Sequence, residues 1–179
     1  MNLNLILALT RDLDEHSRTA IVDLCTTAHH EDFSPLFTFL PPDGLHALAY
    51  RDPELVGHAV RTTRWIQPAG FPALKTAYID AVATAEYAQG QGIGSRVMTH
   101  LAETIYREDY ALAALETDKP GFYTRLGWEV WPGPLGVRKE NGVLATPEFE
   151  GRVLILRTSR TPELDLASLL TIEDQGRSW

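Results

Sequence analysis

Cysteine is nearly absent from this sequence, since Cys25 is the one cysteine among 179 residues. A single cysteine cannot form an internal disulfide, which excludes the disulfide-stapled class of small domains and fits a reducing compartment. Long hydrophobic runs are also lacking, and the first residues, MNLNLILALT, hold only a short apolar stretch with no positive charge ahead of it. We therefore expect no signal peptide, no membrane-spanning segment and a cytoplasmic location.

Basic residues are fewer than acidic ones, with 16 Lys and Arg against 24 Asp and Glu and a net charge of −8. This balance argues against nucleic acid as a partner, because binding to phosphates requires clustered positive charge. It is compatible with a cationic substrate, although solubility alone is the better explanation of it. The length fits one domain over residues 1–179, and no repeat or linker interrupts it.

The hydrophobic pattern predicts an α/β (α+β) fold in the order β, α, three β, α, β, α, β, β. We expect a mixed central sheet of about six to seven strands flanked by helices on both faces. A proline-containing stretch at residues 29–44 is predicted as a long loop, and Asp12 as the cap of the first helix. The predicted strands are residues 3–9, 45–50, 55–65, 74–84, 110–115, 128–131 and 152–157, and the predicted helices are residues 13–28, 93–105 and 119–127.

A glycine-rich turn stands in the stretch AEYAQGQGIGSRVM, residues 85–98, directly before an apolar helical stripe. Bare backbone N–H groups at the start of a helix favour a negatively charged ligand. A P-loop is excluded because Gly94-Ser95-Arg96 has no Walker lysine. A dinucleotide fold is disfavoured because its glycine turn would follow the first strand. Taken alone, the turn is equally compatible with a tight connection between a strand and a helix.

Two motifs in order make the signal more specific. Gln89 to Gly94 matches Q-x-x-G-x-G, and Gly121 to Trp128 reads as a short helix that carries Tyr123, followed by glycine and an aromatic residue. From about Thr10 onward the chain resembles the GNAT superfamily of acetyl-CoA-dependent N-acetyltransferases. The resemblance implies the GNAT fold, acetyl-CoA as cosubstrate and no metal. The implied cofactor-binding residues are Val82, Ala83, Thr84, Gln89, Gly90, Gln91, Gly92, Ile93, Gly94 and Ser95.

The resemblance also implies how the cofactor is held. Residues 89–95 would bind its pyrophosphate, and the strand before the turn would splay, so that residues 82–84 offer unpaired backbone groups to the pantetheine arm. The N–H of Val82 would stabilise the oxyanion.

Acetyl transfer to an amine requires a base for the ammonium and a proton donor for the leaving thiolate. Tyr123 matches the position of the superfamily's general acid, although a tyrosine in a packed core would look the same. Asp80 and Glu116, both predicted at strand ends, are candidate bases acting directly or through water. For each of them an exposed strand-end acid without a role is the alternative.

Several further stretches are similar to the aminoglycoside 2′-N-acetyltransferases within that superfamily. They are residues 30–33 (HEDF), 44–47 (GLHA), 55–58 (LVGH), 77–82 (AYIDAV) and 126–131 (LGWEVW), with Trp179 matching a tryptophan that ends the family's chains. This resemblance implies that carboxylates bind a polycationic drug. The implied substrate-binding residues are Asp32, Asp80, Ala81, Glu116, Glu148, Arg177 and Trp179.

The departures from that family concern charge. Arg177 stands where an acid is expected, and Ser34-Pro35-Leu36-Phe37 replaces a region with a second acid. We therefore predict kasugamycin, which carries a carboxylate as well as a 2′-amine, as the favoured drug, with Arg177 pairing the carboxylate. Such an enzyme would confer antibiotic resistance.

Other functions remain open at the level of sequence. Acetylation of another small amine or of a peptide N-terminus is the enzymatic alternative, and a non-catalytic coenzyme A sensor is the alternative of another class. A metal site at His29, His30 and His46 is disfavoured because no zinc-binding spacing appears. A homodimer formed through exposed strands is neither required nor excluded.

Overall fold

The computed structural model describes residues 3–179, which fold as two compact units. Unit 1 comprises the chain up to Thr62 together with Ile79–Thr104, and unit 2 comprises Thr63–Tyr78 together with Ile105–Trp179. Each unit therefore combines segments that are distant in sequence.

Unit 1 is built on antiparallel strands and two main helices. Strand β2 pairs with both β1 and β3 in antiparallel register. Helix α1 begins at Glu15, because Asp14 caps it by accepting a hydrogen bond from the Ser17 N–H at 2.8 Å. The elements of unit 1 are β1 (Asn4–Leu9), α1 (Glu15–His29), α2 (Leu36–Phe39), β2 (Leu45–Arg51), the first part of β3 (Glu54–Pro68), the end of β4 (Leu74–Thr84) and most of α3 (Ile93–Arg107).

Unit 2 is built on a mixed sheet. In addition to the remaining parts of β3, β4 and α3, it contains β5 (Leu112–Glu116), α4 (Pro120–Thr124), β6 (Glu129–Val130), β7 (Leu135–Lys139), β8 (Gly142–Ala145), β9 (Val153–Arg157) and β10 (Leu170–Glu173). Its strand order is β6-β9-β5-β4-β3-β10-β7-β8. The β4–β5 and β7–β10 pairs are parallel, whereas β9 pairs antiparallel with β5 and β6.

The predicted mixed α/β fold is confirmed, with three corrections. Residues 3–179 contain ten strands, because β7, β8 and β10 add to the six to seven expected. The predicted cap at Asp12 is wrong, since Asp12 ends a 3₁₀ turn over Thr10–Asp12 before the helix starts. The predicted loop at residues 29–44 includes the short helix α2.

The core of unit 2 is a cluster of buried side chains from its sheet and its last segment. It includes Trp131, Leu135, Ile155, Leu170 and Trp179. In unit 1 the apolar stripe of α3, formed by Ile93, Val97 and Leu101, is buried as its spacing predicts. No helix within residues 3–179 is long and apolar enough to span a membrane.

Candidate active site

The glycine-rich turn in unit 1 has a backbone that other residues rarely adopt. Gly90 has φ of 73° and Gly92 has φ of 78°, in the left-handed region where glycine has no steric penalty. The Arg96 N–H bonds the Gly92 carbonyl at 3.1 Å, which begins the hydrogen bonding of α3. The N–H groups of residues 93–95 therefore have no acceptor within the helix, because no helical carbonyl lies four residues before them. These donors and the helix dipole suit an anionic group.

The two glutamines of this turn brace it with their side chains. Gln89 Nε2 donates to the Thr84 carbonyl at 3.3 Å, and Gln91 Nε2 donates to the Tyr87 carbonyl at 3.0 Å. Arg51 in turn donates to Gln91 Oε1. The side chains thus hold the conformation of the turn, and the backbone remains the part suited to bind an anion.

Gly57 of β3 allows α3 to approach the strand closely. A Cβ atom at this position would lie 2.6 Å from Ile93 Cγ2 and 3.2 Å from Ala49 Cβ. Since real Cβ atoms do not approach other atoms so closely, any larger residue would force the Ile93 side chain, in the first turn of α3, to shift. Gly57 therefore helps to place the glycine-rich turn relative to β3.

The end of β4 is irregular at Ala81, which has φ of 51° although it is not glycine. Such a conformation costs an ordinary residue on the order of 1–3 kcal/mol, and neighbouring interactions must hold it. His58 Nδ1 lies 2.8 Å from the Ala81 carbonyl, and His29 Nε2 lies 2.9 Å from the Val82 carbonyl. Because a carbonyl only accepts, both imidazole nitrogens carry their protons.

Two backbone carbonyls within residues 82–84 have side-chain donors. The carbonyls of Val82 and Thr84 accept hydrogen bonds from the side chains of His29 and Gln89. Donors from side chains thus satisfy these carbonyls at the end of β4.

Two buried histidines of unit 1 lie next to this irregularity. His46 and His58 are both fully buried, and His46 Nδ1 lies 2.9 Å from His58 Nε2. Burial lowers the pKa of His46 to about 3, helped by the proximity of His58 and Arg18, and lowers the pKa of His58 to about 4. Both rings are therefore neutral at pH 7. Their sequence motifs were recognised, but their contact was not predicted.

The predicted acids of unit 1 differ in their surroundings. Asp80 is half-buried on β4, immediately before Ala81. Asp32 is exposed and accepts hydrogen bonds from the Ser34 N–H at 2.9 Å and the Ser34 hydroxyl at 3.0 Å, which lower its pKa. Asp32 is therefore anionic at neutral pH and stands in the loop after α1.

Tyr123 is buried in unit 2, on the short helix α4. Its ring contacts Phe122 and Trp128 edge-on, with centroids 4.8 and 6.2 Å away. Burial raises the pKa of the Tyr123 phenol, and the charges of Asp118 and Glu116 raise it further. The phenol therefore keeps its proton at neutral pH. A general acid requires this, but a tyrosine with only a structural role has the same property.

Glu116 ends strand β5 and takes part in an ion pair that the sequence did not reveal. Arg152 Nη2 lies 2.6 Å from Glu116 Oε1, with the glutamate side chain 22% exposed and the arginine 46%. Glu116 is also close enough to Tyr123 to affect its pKa. The structure thus brings together two predicted catalytic residues of unit 2, and it adds Arg152 as a partner of one of them.

Three further predicted residues lie in unit 2, and two of them, Arg177 and Trp179, belong to its last segment, residues 173–179. The indole of Trp179 packs in the core, and its Nε1–H donates to Thr146 Oγ1 at 3.0 Å. Glu148 is exposed on the 3₁₀ turn that follows Thr146. The Arg177 guanidinium lies 5.8 Å from the centre of the Tyr78 ring. Trp179 is therefore an anchor for this segment.

Arg64 holds the same segment, and sequence reasoning missed it. Its buried guanidinium donates to the carbonyls of Ser178 at 2.6 Å, Glu173 at 2.7 Å and Arg177 at 3.3 Å. It also lies over the Tyr78 ring at 5.2 Å. An arginine within a predicted apolar strand was the available signal, because arginine is rarely buried without partners.

The predicted residues divide between the units. Unit 1 carries Asp32, residues 80–84 and residues 89–95, and unit 2 carries Glu116, Tyr123, Glu148, Arg177 and Trp179. No group of three or more His, Cys, Asp or Glu side chains within residues 3–179 is arranged to hold a metal ion.

Two comparisons of sequence identify the family. Residues 11–131 match the acetyltransferase (GNAT) domain family. The chain is 31% identical over 175 residues to an aminoglycoside 2′-N-acetyltransferase of Mycolicibacterium fortuitum, covering 95% of this chain and 89% of that protein. This chain belongs to the GNAT family of acetyltransferases.

Solved structures show the same fold at low sequence identity. The GNAT family N-acetyltransferase YhbS of Escherichia coli, solved in complex with CoA, is 17% identical, with a TM-score of 0.63 over 97% of this chain and 91% of that chain. ElaA of Escherichia coli is 16% identical, with a TM-score of 0.62 over 86% of this chain and 99% of that chain. Eis1 of Mycobacterium abscessus, also 16% identical, has a TM-score of 0.63 over 72% of this chain, which spans only 32% of that longer protein.

Proposed function

We propose that this chain transfers the acetyl group of acetyl-CoA to the 2′-amino group of an aminoglycoside and thereby confers resistance to the drug. The observation that carries the proposal is the 31% identity to an aminoglycoside 2′-N-acetyltransferase, which extends over 95% of this chain. The single cysteine favours a reducing, cytoplasmic location for it.

Binding of the cofactor is assigned to unit 1. The N–H groups of residues 90–95 would receive the pyrophosphate, and two observations support this: the left-handed Gly90 and Gly92, and the start of α3 directly behind them. The backbone of residues 82–84 would contact the pantetheine arm. The Val82 N–H would donate to the thioester oxygen as negative charge develops there.

Direct attack of the amine on the thioester requires two proton transfers. The nitrogen forms a bond to the carbonyl carbon, the bond from carbon to sulfur breaks, and the amine loses a proton to a base. Asp80, Glu116 or a water molecule would accept that proton. Tyr123 would protonate the leaving thiolate, since its phenol carries a proton at neutral pH.

The choice of drug follows from charge. Asp32, Asp80, Glu116 and Glu148 would bind amino groups, but Arg152 already neutralises Glu116. Together with Arg177, this positive charge favours a drug that also carries a carboxylate, and kasugamycin is the proposed substrate. Ala81 and Trp179 would complete the binding of the drug.

A thiol-release assay with acetyl-CoA tests the proposal against kasugamycin, gentamicin, kanamycin, a polyamine and a peptide amine. We expect turnover of kasugamycin and the loss of that turnover in Arg177→Asp. Turnover of gentamicin would contradict the proposed specificity but keep the reaction. Turnover of only the polyamine or the peptide would overturn the drug class, and coenzyme A binding without any turnover would favour a sensor.

Replacement of Tyr123 by phenylalanine tests the proposed acid. Removal of a proton donor lowers kcat by about 10²–10⁴-fold. We expect that loss while the affinity for coenzyme A, measured by calorimetry, stays unchanged. Phe122→Leu alters a ring that contacts Tyr123 without removing the hydroxyl, and it serves as the control. A kcat for Tyr123→Phe equal to that of the unmodified chain would contradict the role.

A further inference from the structure

A continuous chain of buried hydrogen bonds runs through unit 1 and ends at the Ala81 carbonyl. His58 Nδ1 donates to that carbonyl at 2.8 Å, so His58 Nε2 is the acceptor for His46 Nδ1–H at 2.9 Å. His46 Nε2 is then the acceptor for the Thr10 hydroxyl at 3.0 Å, and the same hydroxyl lies 3.2 Å from the Gly44 carbonyl, which is a second acceptor for its proton. Every donor in the chain points the same way, from Thr10 toward Ala81.

We propose that His58, oriented by His46 and Thr10, is a positioning residue that holds Ala81 in its left-handed conformation and so sets the directions of Asp80 and Val82. This inference rests on the proposed function, because Asp80 and Val82 have the roles given above only if the chain catalyses acetyl transfer. His58 itself acts through Ala81, not on the substrate.

The geometry supports this role at both ends of the chain. Ala81 has φ of 51°, which an alanine does not adopt without a compensating contact. The strongest contact to its carbonyl is the His58 bond, since Cys25 Sγ lies 3.7 Å away and is only a weak donor. Asp80 and Val82 are bonded directly to Ala81, so a change of its backbone dihedral angles turns both of them.

Neutral imidazoles fit this task because each ring has one donor and one acceptor. The two rings are completely used, with no nitrogen of His58 left without a partner. Because the Ala81 carbonyl can only accept, the two neutral rings have one arrangement of protons, and both nitrogens of His58 are held by hydrogen bonds.

Two substitutions at His58 test whether its role is the hydrogen bond to the Ala81 carbonyl or only the filling of space in the core. Asparagine places an amide nitrogen where Nδ1 stands, and glutamine places one where Nε2 stands. We expect His58→Asn to keep kcat within threefold, and His58→Gln to lower kcat at least tenfold with an unchanged affinity for coenzyme A. Cys25→Ala, which removes the weak contact to the same carbonyl, is the matched control and keeps kcat. Equal kcat values for the Asn and Gln variants would overturn the proposal.

A second substitution tests the backbone directly. Glycine adopts a left-handed conformation without penalty, so Ala81→Gly in the His58→Gln background removes the need for the histidine. We expect the double variant to recover at least a third of the kcat lost in His58→Gln. If His58 merely fills space, glycine adds flexibility, and kcat stays low or falls further.

Nuclear magnetic resonance tests the proposal without any turnover. In the unmodified chain we expect the proton of His58 on Nδ1 and ¹³C shifts of Ala81 typical of a left-handed residue, with those shifts lost in His58→Gln. A proton on Nε2, or unchanged Ala81 shifts in the variant, would overturn the positioning role. If no amine is acetylated, the proposed function fails, and these shifts still decide whether His58 holds Ala81.

Discussion

The two compact units each use buried polar side chains to hold backbone beside predicted site residues, but they differ in charge. In unit 1 the neutral pair His46 and His58 holds one carbonyl, that of Ala81. In unit 2 the charged Arg64 holds three carbonyls, those of Glu173, Arg177 and Ser178. Both groups are fully buried.

The difference shows how the number of carbonyls decides the choice of side chain. A guanidinium has five N–H donors in a fixed fork, so one arginine can order a whole segment. Its burial carries a large desolvation penalty that only many hydrogen bonds offset. A neutral imidazole has a smaller penalty and orders a single peptide group. Arg64 therefore holds a whole segment of unit 2, whereas the histidine pair holds one residue of unit 1.

The largest expected effect is the loss of Arg64. Arg64→Met removes the donor from three carbonyls, and each buried carbonyl left without a donor costs about 1–3 kcal/mol of the free energy of unfolding. Urea denaturation measures this loss. The control is Arg157→Met, because Arg157 pairs with Glu129 at 2.6 Å while both are more than a third exposed, and exposed pairs contribute about 0–1 kcal/mol. Equal losses in the two variants would remove the contrast between the units.

The next effect is a pH dependence that the histidine pair of unit 1 produces and Arg64 of unit 2 does not. Their pKa values are about 3 and 4 in the folded chain against 6.5 in the reference state, so the unfolded chain binds more protons between these values. Their contribution is complete above pH 6.5 and is lost as the pH falls toward 4. We expect the free energy of unfolding to fall by about 2 kcal/mol between pH 6 and 5 from this pair.

Variants distinguish the histidines from other acid-sensitive groups. The slope between pH 6 and 5 should be about halved in His58→Asn and unchanged in Arg64→Met, because the guanidinium stays charged throughout. Chemical denaturation at each pH gives both slopes. A slope that His58→Asn leaves intact would show that the histidine pair does not cause it.

The smallest effect compares one glycine in each unit. Gly92 in unit 1 and Gly70 in unit 2 have φ of 78° and 80°, and a Cβ atom at either would meet nothing within 4 Å. Replacement by alanine should therefore cost each about 1 kcal/mol in the free energy of unfolding. Only Gly92→Ala should weaken binding of coenzyme A in calorimetry. An equal loss of affinity in Gly70→Ala would argue against a cofactor site at the glycine-rich turn.

Sequence reasoning reached the local features well. The glycine-rich turn before α3 and the short helix with Tyr123 depend on neighbouring residues, so their patterns predicted them. The β7–β8 hairpin also had a local signal, since an Asn-Gly pair favours a tight turn and Asn141-Gly142 lies where the turn enters β8, and it was overlooked. Strand β10 had little signal, because four residues became a strand only by pairing with β7 and β3.

The sequence by itself determined the family and the turn chemistry, since glycines, caps and periodic apolar residues act on the backbone next to them. Only the tertiary structure decided that Arg64 bonds carbonyls 109 and 114 positions away and that His58 bonds the carbonyl 23 positions away. It also placed the Trp179 indole in the core of unit 2. A side chain without local periodicity takes its role from whatever folding brings to it, and buried polar groups then bind the donors and acceptors they find there.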